Sequence, residues 1–169
     1  MFTGIIETVG EIISIEKDHS LIADLNGIAE KEGNSRFEIV EGDALKLLPE
    51  IAAAENENGA EDHADKKNDD IGKYKIVGNI PYYITGKLLR TISELEIKPE
   101  TTVIMIQKEV AERICATPPQ MNRLAASVQF WADAKIIAQV PKKDFTPAPE
   151  VDSAVILLKT RSSSKKITS

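Results

Sequence analysis

The segment Asn79-Ile80-Pro81-Tyr82 places a primary amide, a fixed backbone and an aromatic ring directly after an apolar run. The Asn79 oxygen and a backbone carbonyl near Ile80 or Pro81 could accept both hydrogens of an adenine amino group, which would turn its lone pair toward an electrophile. Pro81 fixes φ and removes a donor, and Tyr82 offers a face for a flipped-out base. The alternative is a β-turn with a core tyrosine, but a turn requires neither the amide nor the ring.

Two acidic residues, Glu16 and Asp43, also stand where strand patterns end. Glu16 could accept hydrogen bonds from ribose hydroxyls, or it could be a solvated acid near a helix N-terminus. Asp43 could accept from an adenine amino group, or it could cap the helix that begins near Ala44. The sequence leaves both pairs of alternatives open.

The elements that must position these residues alternate between strand and helix patterns. Strand patterns end at Glu16, near Asp43, at Asn79 and at Gln107, and a helical segment follows each of them. A helix is also predicted over "MNRLAASVQFWADA", and strands over "KIIAQVP" and "VDSAVILLKT". This alternation predicts an α/β domain with a mainly parallel sheet, in which ligands bind at the carboxyl ends of the strands.

Composition narrows the class of protein. The 169 residues suffice for one domain, and no apolar run approaches the roughly 20 residues of a membrane span. The start of the chain lacks the basic region of a signal peptide, and the single cysteine, Cys115, cannot form an internal disulfide. His19 and His63 are far apart, so we expect no metal site. We therefore predict a cytoplasmic monomer with no membrane partner.

The net charge of −6 is unevenly distributed. An acidic total argues weakly against nucleic-acid binding, because neutralising phosphates requires a basic surface. Residues 50–72, however, are rich in Asn, Asp and Glu, and we expect them to form a mobile, solvated insertion. The part of the chain that carries the asparagine segment is slightly basic. Residues 161–169 are basic and are predicted to be a disordered tail.

Three motifs in order, "GNIPYYIT", "MIQKEVAERI" and "FTPAPEVDSAV", resemble the S-adenosylmethionine-dependent ribosomal RNA adenine dimethyltransferases. "IEKDHSL" and "EGDALKL" extend the likeness over nearly the whole chain. The family includes small-subunit enzymes and macrolide-resistance large-subunit methylases, and "FTPAPEVDSAV" looks more like the former. Where the family's consensus has Asn-Leu-Pro-Tyr, this chain has Asn79-Ile80-Pro81-Tyr82.

The resemblance implies a Rossmann-like class I methyltransferase fold that binds S-adenosylmethionine and methylates N6 of adenines in small-subunit ribosomal RNA, a step of ribosome biogenesis. Glu16 would hold the cofactor ribose, and Asp43 with Ala44 its adenine. Asn79 would serve both cofactor and target, Asn79 to Tyr82 would hold the target adenine, and Phe145 would pack on the other face of that base.

The family's first strand and its glycine-rich turn have no counterpart, because the chain contains no Gly-x-Gly. We expect a partial catalytic domain over residues 1–160, truncated at both ends, without the first strand and without the family's helical C-terminal domain. Loss of that strand would leave two unpaired strand edges. We also expect weak or no binding of S-adenosylmethionine by this chain, which calorimetry tests. A non-catalytic RNA-binding or ribosome-assembly protein of the same fold is the alternative.

Overall fold

A computed structural model describes residues 12–31, 37–58 and 71–162 of the chain. The chain divides into two compact units, Met1–Glu50 and Ile51–Ser169. The predictions made for residues 1–11, for residues 59–70 of the acidic insertion and for the tail from residue 163 lie outside the described residues. In the part of the chain that is described, no helix is long and apolar enough to cross a membrane.

The first unit is built from a parallel pair of strands, each followed by a helix. Its elements are β1 (Ile12–Glu16), α1 (His19–Lys31), β2 (Phe37–Glu41) and the start of α2 (Ala44–Asn58). In the β1–β2 register Ile12 lies opposite Phe37 and Glu16 lies opposite Glu41. Both strands therefore end at the same edge, as the sequence predicted.

Helix α2 is longer than the sequence indicated. The interpretation of residues 50–72 as a mobile insertion is wrong at both ends, because residues 50–58 continue α2 and the next strand begins at Ile71. Three consecutive alanines from Ala52 to Ala54 favour the helix, and Ala52 is buried. The polar composition of the stretch concealed this helical segment.

Besides the end of α2, the second unit contains four strands and three helices in its described residues. In chain order they are β3 (Ile71–Asn79), α3 (Thr85–Glu94), β4 (Lys98–Gln107), α4 (Lys108–Ile114), α5 (Arg123–Gln129), β5 (Ala132–Val140) and β6 (Ser153–Thr160). Short 3-10 turns at Tyr82–Ile84 and Lys142–Asp144 precede α3 and follow β5. Helix α5 is shorter than predicted, because Ala132 already pairs with β6.

The sheet of the second unit has the order β3-β4-β6-β5 and is mixed. β3 pairs with β4 in parallel, whereas β6 runs antiparallel between β4 and β5. The expectation of a mainly parallel sheet is therefore wrong for this unit. Local sequence patterns carry no information on the direction in which the last strand enters a sheet. Among the described residues, the outer strands of both sheets (β1, β2, β3 and β5) each pair with one neighbour.

One face of this sheet forms the core of the second unit. Register pairs Thr102 with Leu158, Ile104 with Ile156, and Ile106 with Ala154. All six side chains are fully buried, and burial of each large aliphatic side chain contributes about 1.5–3 kcal/mol. Helices α3, α4 and α5 contact the sheet and contribute further buried residues: Leu88, Leu89, Ile92, Ala111, Ile114, Ala125 and Val128. This packing fixes the strand ends that carry the motifs.

Candidate functional site

A backbone hydrogen bond joins the carboxyl ends of β1 and β2. Gly42 N–H donates to the Glu16 carbonyl over 2.8 Å. Gly42 has a φ of +156°, and a Cβ built on it would lie 2.6 Å from Leu47 Cδ1. Glycine therefore lets the chain turn from β2 into α2 close against Leu47. The turn places Asp43 beside the strand end that carries Glu16.

The Glu16 carboxylate is oriented by the backbone that follows it. Its Oε1 accepts from the N–H groups of Lys17 at 2.7 Å and Asp18 at 2.8 Å. Asp18, rather than Glu16, caps α1, because its Oδ1 accepts from Ser20 N–H at 2.9 Å and from the Ser20 hydroxyl at 2.6 Å. These two bonds, the hydroxyl bond first, lower the pKa of Asp18. Glu16 Oε2 has no partner among the described residues of the first unit.

Asp43 has the geometry of a helix cap. Its Oδ1 accepts from Leu45 N–H at 3.0 Å, and its carbonyl accepts from the N–H groups of Lys46 and Leu47. Lys17 Nζ lies 3.9 Å from the second carboxylate oxygen, Oδ2. Ala44 is the first residue of α2. The capping alternative thus describes Oδ1, while Oδ2 faces Lys17.

One contact at this edge was not evident from the sequence. His19 Nδ1 lies 3.0 and 3.1 Å from the two carboxylate oxygens of Glu41. Because β1 and β2 run in parallel, their ends bring together residues 22 positions apart. The contact links the start of α1 to the end of β2.

In the second unit, the predicted target residues lie at the edge where β3, β4 and β5 end and β6 begins. Asn79, the last residue of β3, lies opposite Met105 of β4. Ser153, the first residue of β6, lies opposite both Gln107 and Val140, the last residues of β4 and β5. Strand direction therefore brings the three motifs to one edge of this sheet.

Asn79 and Ile80 have different structural roles. Ile80 N–H donates to the Met105 carbonyl at 3.2 Å, and a Cβ built on Gly78 would lie 2.6 Å from Ile80 Cδ1. The Ile80 side chain thus folds back over a glycine. The Asn79 side chain is exposed, and its amide has no hydrogen-bond partner within the described residues of its own unit. An amide in this position is free to bind a ligand.

The two neighbouring tyrosines are in different environments. Pro81, with φ −54° and ψ 130°, leads into the 3-10 turn, and its carbonyl accepts from Ile84 N–H at 3.0 Å. Tyr82 is half-buried, and its Oη lies 2.8 Å from the Oγ of Ser153, a fully buried residue. Tyr83 is 86% exposed. The Tyr82 ring is therefore held at its hydroxyl end, while that of Tyr83 extends from the surface.

Phe145 lies in the loop between β5 and β6, directly after the 3-10 turn. Its N–H donates to the Lys142 carbonyl at 3.3 Å, and its side chain is half-buried. Asp152 fixes the loop from the other end, because Lys142 N–H donates to Asp152 Oδ1 and Lys108 N–H donates to the Asp152 carbonyl, both at 3.0 Å. Lys142 Nζ also donates to the Glu150 carbonyl at 3.3 Å.

The predicted residues thus fall into two groups. Glu16, Asp43 and Ala44 belong to the first unit, and Asn79 to Tyr82 with Phe145 belong to the second. An open depression of about 320 Å³ lies in the second unit but is lined by none of these residues; its lining is Lys108, Glu109, Glu112, Lys142, Glu150, Val151 and Asp152. In the described ranges no cluster of three or more His, Cys, Asp or Glu residues could hold a metal ion.

Solved structures share this fold. A dimethyladenosine transferase from Plasmodium falciparum superposes with a TM-score of 0.69 and 25% identity, over 89% of this chain and 48% of the other. The 23S rRNA methyltransferase ErmE superposes with a TM-score of 0.66 and 23% identity, over 89% and 52%. The predicted α/β fold of the class I methyltransferases is therefore confirmed.

Sequence comparison gives the family. The sequence model of the ribosomal RNA adenine dimethylases matches residues 3–168, and the chain belongs to this family. A relative from Dehalococcoides mccartyi, a ribosomal RNA small subunit methyltransferase A, is 35% identical over 153 residues, which are 90% of this chain and 46% of the relative. A relative of the same name from Lactococcus lactis is 35% identical over 161 residues, 93% and 50% respectively. The chain spans about half the length of these relatives.

Sequence reasoning did not single out Asp152 and Ser153. Both lie inside "FTPAPEVDSAV", but an aspartate and a serine at the start of a strand are common surface residues. Their contacts to Lys108, Lys142 and Tyr82 depend on β6 running antiparallel between β4 and β5. One signal was available in the sequence. Both residues lie in the same motif as Phe145, which the family resemblance assigns to the target base.

Proposed function

We propose that the protein transfers methyl groups from S-adenosylmethionine to N6 of adenines in small-subunit ribosomal RNA, as a cytoplasmic monomer. The observation that carries the proposal is the exposed Asn79 amide at the carboxyl end of β3, which has no hydrogen-bond partner among the described residues of its unit and lies three residues before an anchored tyrosine. Membership of the adenine dimethylase family and the small-subunit methyltransferases among its relatives support the choice of substrate.

The residues at the ends of β1 and β2 fit the cofactor. Glu16 Oε2, which has no partner among the described residues of its unit, accepts from ribose hydroxyls, and Asp43 Oδ2, which lies 3.9 Å from Lys17 Nζ, accepts from an adenine amino group. In this proposal Ala44 lies beside the cofactor adenine as the first residue of α2, and Asn79 contacts both cofactor and target. S-adenosylmethionine supplies an electrophilic methyl group on a positively charged sulfur.

In the second unit, Asn79 Oδ1 and a carbonyl of Ile80 or Pro81 accept the two N6 hydrogens and so direct the nitrogen lone pair. Tyr82 and Phe145 stack on the two faces of the base. Each stacking contact contributes on the order of 1–3 kcal/mol. With S-adenosylmethionine bound, the N6–carbon bond would form as the carbon–sulfur bond breaks, and one N6 proton would leave to solvent. The adenine amine is itself the nucleophile, so no nucleophilic side chain is required, and positioning provides most of the rate enhancement.

The test is methyl transfer by the complete gene product to small-subunit particles that lack the modification. Asn79→Ala should reduce the rate at least about 100-fold, because a misplaced amine no longer attacks in line. The urea unfolding midpoint should not change, since the Asn79 side chain is exposed and has no partner in its unit. Gln139→Ala, which removes another exposed amide, serves as the matched control.

Activity of the Asn79→Ala protein close to that of the unsubstituted protein would contradict the assigned role. Binding of ribosomal RNA without any methyl transfer by the unsubstituted protein would instead favour the non-catalytic assembly protein. The two results are separated by measuring transfer and RNA binding on the same preparations.

A further inference from the structure

We propose that the adjacent residues Asp152 and Ser153 position the two aromatic residues of the target-base site, Tyr82 and Phe145. The inference rests on the proposed function, because it assigns a purpose to contacts around that site. Asp152 and Ser153 themselves touch neither base nor cofactor in this account. They are positioning residues that act through the two rings.

The contact of Ser153 with Tyr82 crosses the end of β4. β6 is separated from β3 by β4 in the sheet, yet Tyr82 Oη and Ser153 Oγ are 2.8 Å apart. Ser153 is 0% exposed, and Tyr82 is the one hydrogen-bond partner recorded for its hydroxyl within the described residues. A buried hydroxyl that lost this partner would remain unsatisfied. The bond therefore fixes the hydroxyl end of the tyrosine ring at the start of β6.

Asp152 fixes the backbone turn that precedes Phe145. Its Oδ1 accepts from Lys142 N–H at 3.0 Å, and the Lys142 carbonyl accepts from Phe145 N–H at 3.3 Å. The 3-10 turn that leads to Phe145 is thereby tied to the residue beside Ser153. The bond from Lys108 N–H to the Asp152 carbonyl ties the pair to the start of α4 as well.

The covalent link between Asp152 and Ser153 gives these contacts a common consequence. Ser153 bonds the Tyr82 hydroxyl and Asp152 bonds the turn before Phe145, so one peptide unit links the attachment points of the two aromatic residues. A base that enters between two rings requires a fixed gap, and side-chain rotation at either ring would change it. Asp152 and Ser153 are bonded to Tyr82, Lys142 and Lys108, and they hold this gap before the base binds.

The first experiment is a double-mutant cycle of Tyr82→Phe and Ser153→Ala. Each single change should lower the turnover rate at saturating RNA by about fivefold to tenfold, because each removes the same hydrogen bond, with a smaller effect on KM. The double variant should lose no more than either single variant, since Ser153 acts only through the tyrosine hydroxyl. Tyr83→Phe and Ser127→Ala are matched controls that remove exposed hydroxyls elsewhere.

The second experiment tests Asp152 with a conservative replacement. Asp152→Asn keeps an oxygen at the position that accepts from Lys142 N–H, and should retain nearly full turnover. Asp152→Ala removes the acceptor and should lower turnover about fivefold to tenfold. In a Phe145→Ala background, Asp152→Ala should have no further effect.

A measurement without methyl transfer separates this inference from the proposed function. A single-stranded oligoribonucleotide with one 2-aminopurine loses fluorescence when that base stacks on aromatic rings. The unsubstituted protein should quench it, and Ser153→Ala and Asp152→Ala should quench it less than their controls. Reduced quenching in these variants without methyl transfer by any form would uphold the positioning role and contradict the proposed function. Additive losses in the cycle, or turnover and quenching equal to those of the controls, would overturn the positioning role.

Discussion

Gly42 and Glu16 are joined by a 2.8 Å backbone hydrogen bond that closes the carboxyl end of the β1–β2 pair. The bond requires Gly42 to adopt a φ of +156°, with Leu47 Cδ1 at the place where a Cβ would stand. Gly42 thus lies at the turn between the two predicted cofactor residues, Glu16 and Asp43.

Gly42→Ala is expected to destabilise the protein. A left-handed backbone in a residue with a side chain costs about 1–3 kcal/mol, and Leu47 must also move. The free energy of unfolding, measured in urea, checks this. Gly27→Ala is the matched control, because Gly27 lies inside α1 with nothing within 4 Å of a Cβ. It should stabilise by about 0.5–1 kcal/mol, and equal effects of the two changes would contradict the strain at Gly42.

Substitutions at Asp43 can separate the helix cap from the cofactor role. Asp43→Ala should lower the free energy of unfolding by about 1 kcal/mol, because it removes the acceptor for Leu45 N–H. Asp43→Ser should retain stability, since serine caps well, but its short side chain does not replace Oδ2. Calorimetric titration of S-adenosylmethionine into the complete gene product should show weaker binding for both variants. Unchanged affinity in the serine variant would limit Asp43 to capping.

Thr102→Val is expected to stabilise the second unit. Thr102 is fully buried on β4, and its hydroxyl has no partner among the described residues. An unsatisfied buried hydroxyl costs about 1–3 kcal/mol, and valine has nearly the same shape. Thr160→Val is the contrasting control, because the Thr160 hydroxyl donates to the Pro99 carbonyl at 2.5 Å. The midpoint temperature of thermal unfolding should rise for Thr102→Val and fall for Thr160→Val.

Tyr74 should make stability depend on pH in the alkaline range. Its hydroxyl donates to the Ile97 carbonyl at 2.8 Å, and burial raises its pKa from 10.0 to about 12. Above the ordinary pKa the unfolded chain loses the phenolic proton while the folded chain keeps it. The contribution is therefore complete below pH 10 and is lost as the pH rises toward 12. Urea titrations at several pH values should show a shallower alkaline decline for Tyr74→Phe than for the unsubstituted protein.

Much of this fold follows from local patterns. The apolar runs before Glu16, Asn79 and Gln107 predicted strands that the structure contains, and the polar residues at their ends predicted the edge where the motifs lie. These features depend on residues close together in the chain. Helix α2 beyond Glu50 was missed, because Glu and Asn in its last turns have the composition of a loop.

The position of β6 could not be predicted in the same way. Its sequence indicates a buried strand, but nothing in eight residues specifies two antiparallel neighbours. The same limit hid the bond between Tyr82 and Ser153, which are 71 positions apart. Contacts of this kind arise from strand order, which is a property of the whole chain.

The central place of β6 also has a consequence for synthesis. β5 pairs with no strand other than β6 in the described sheet, and β6 is made after β3, β4 and β5. During translation, β3 and β4 can pair, whereas the backbone groups of β5 remain bonded to water until β6 is made. The strand that begins with Ser153 then completes the sheet and the motif edge in one event. A nascent chain that stalls before residue 153 would leave β4 and β5 without the strand that lies between them.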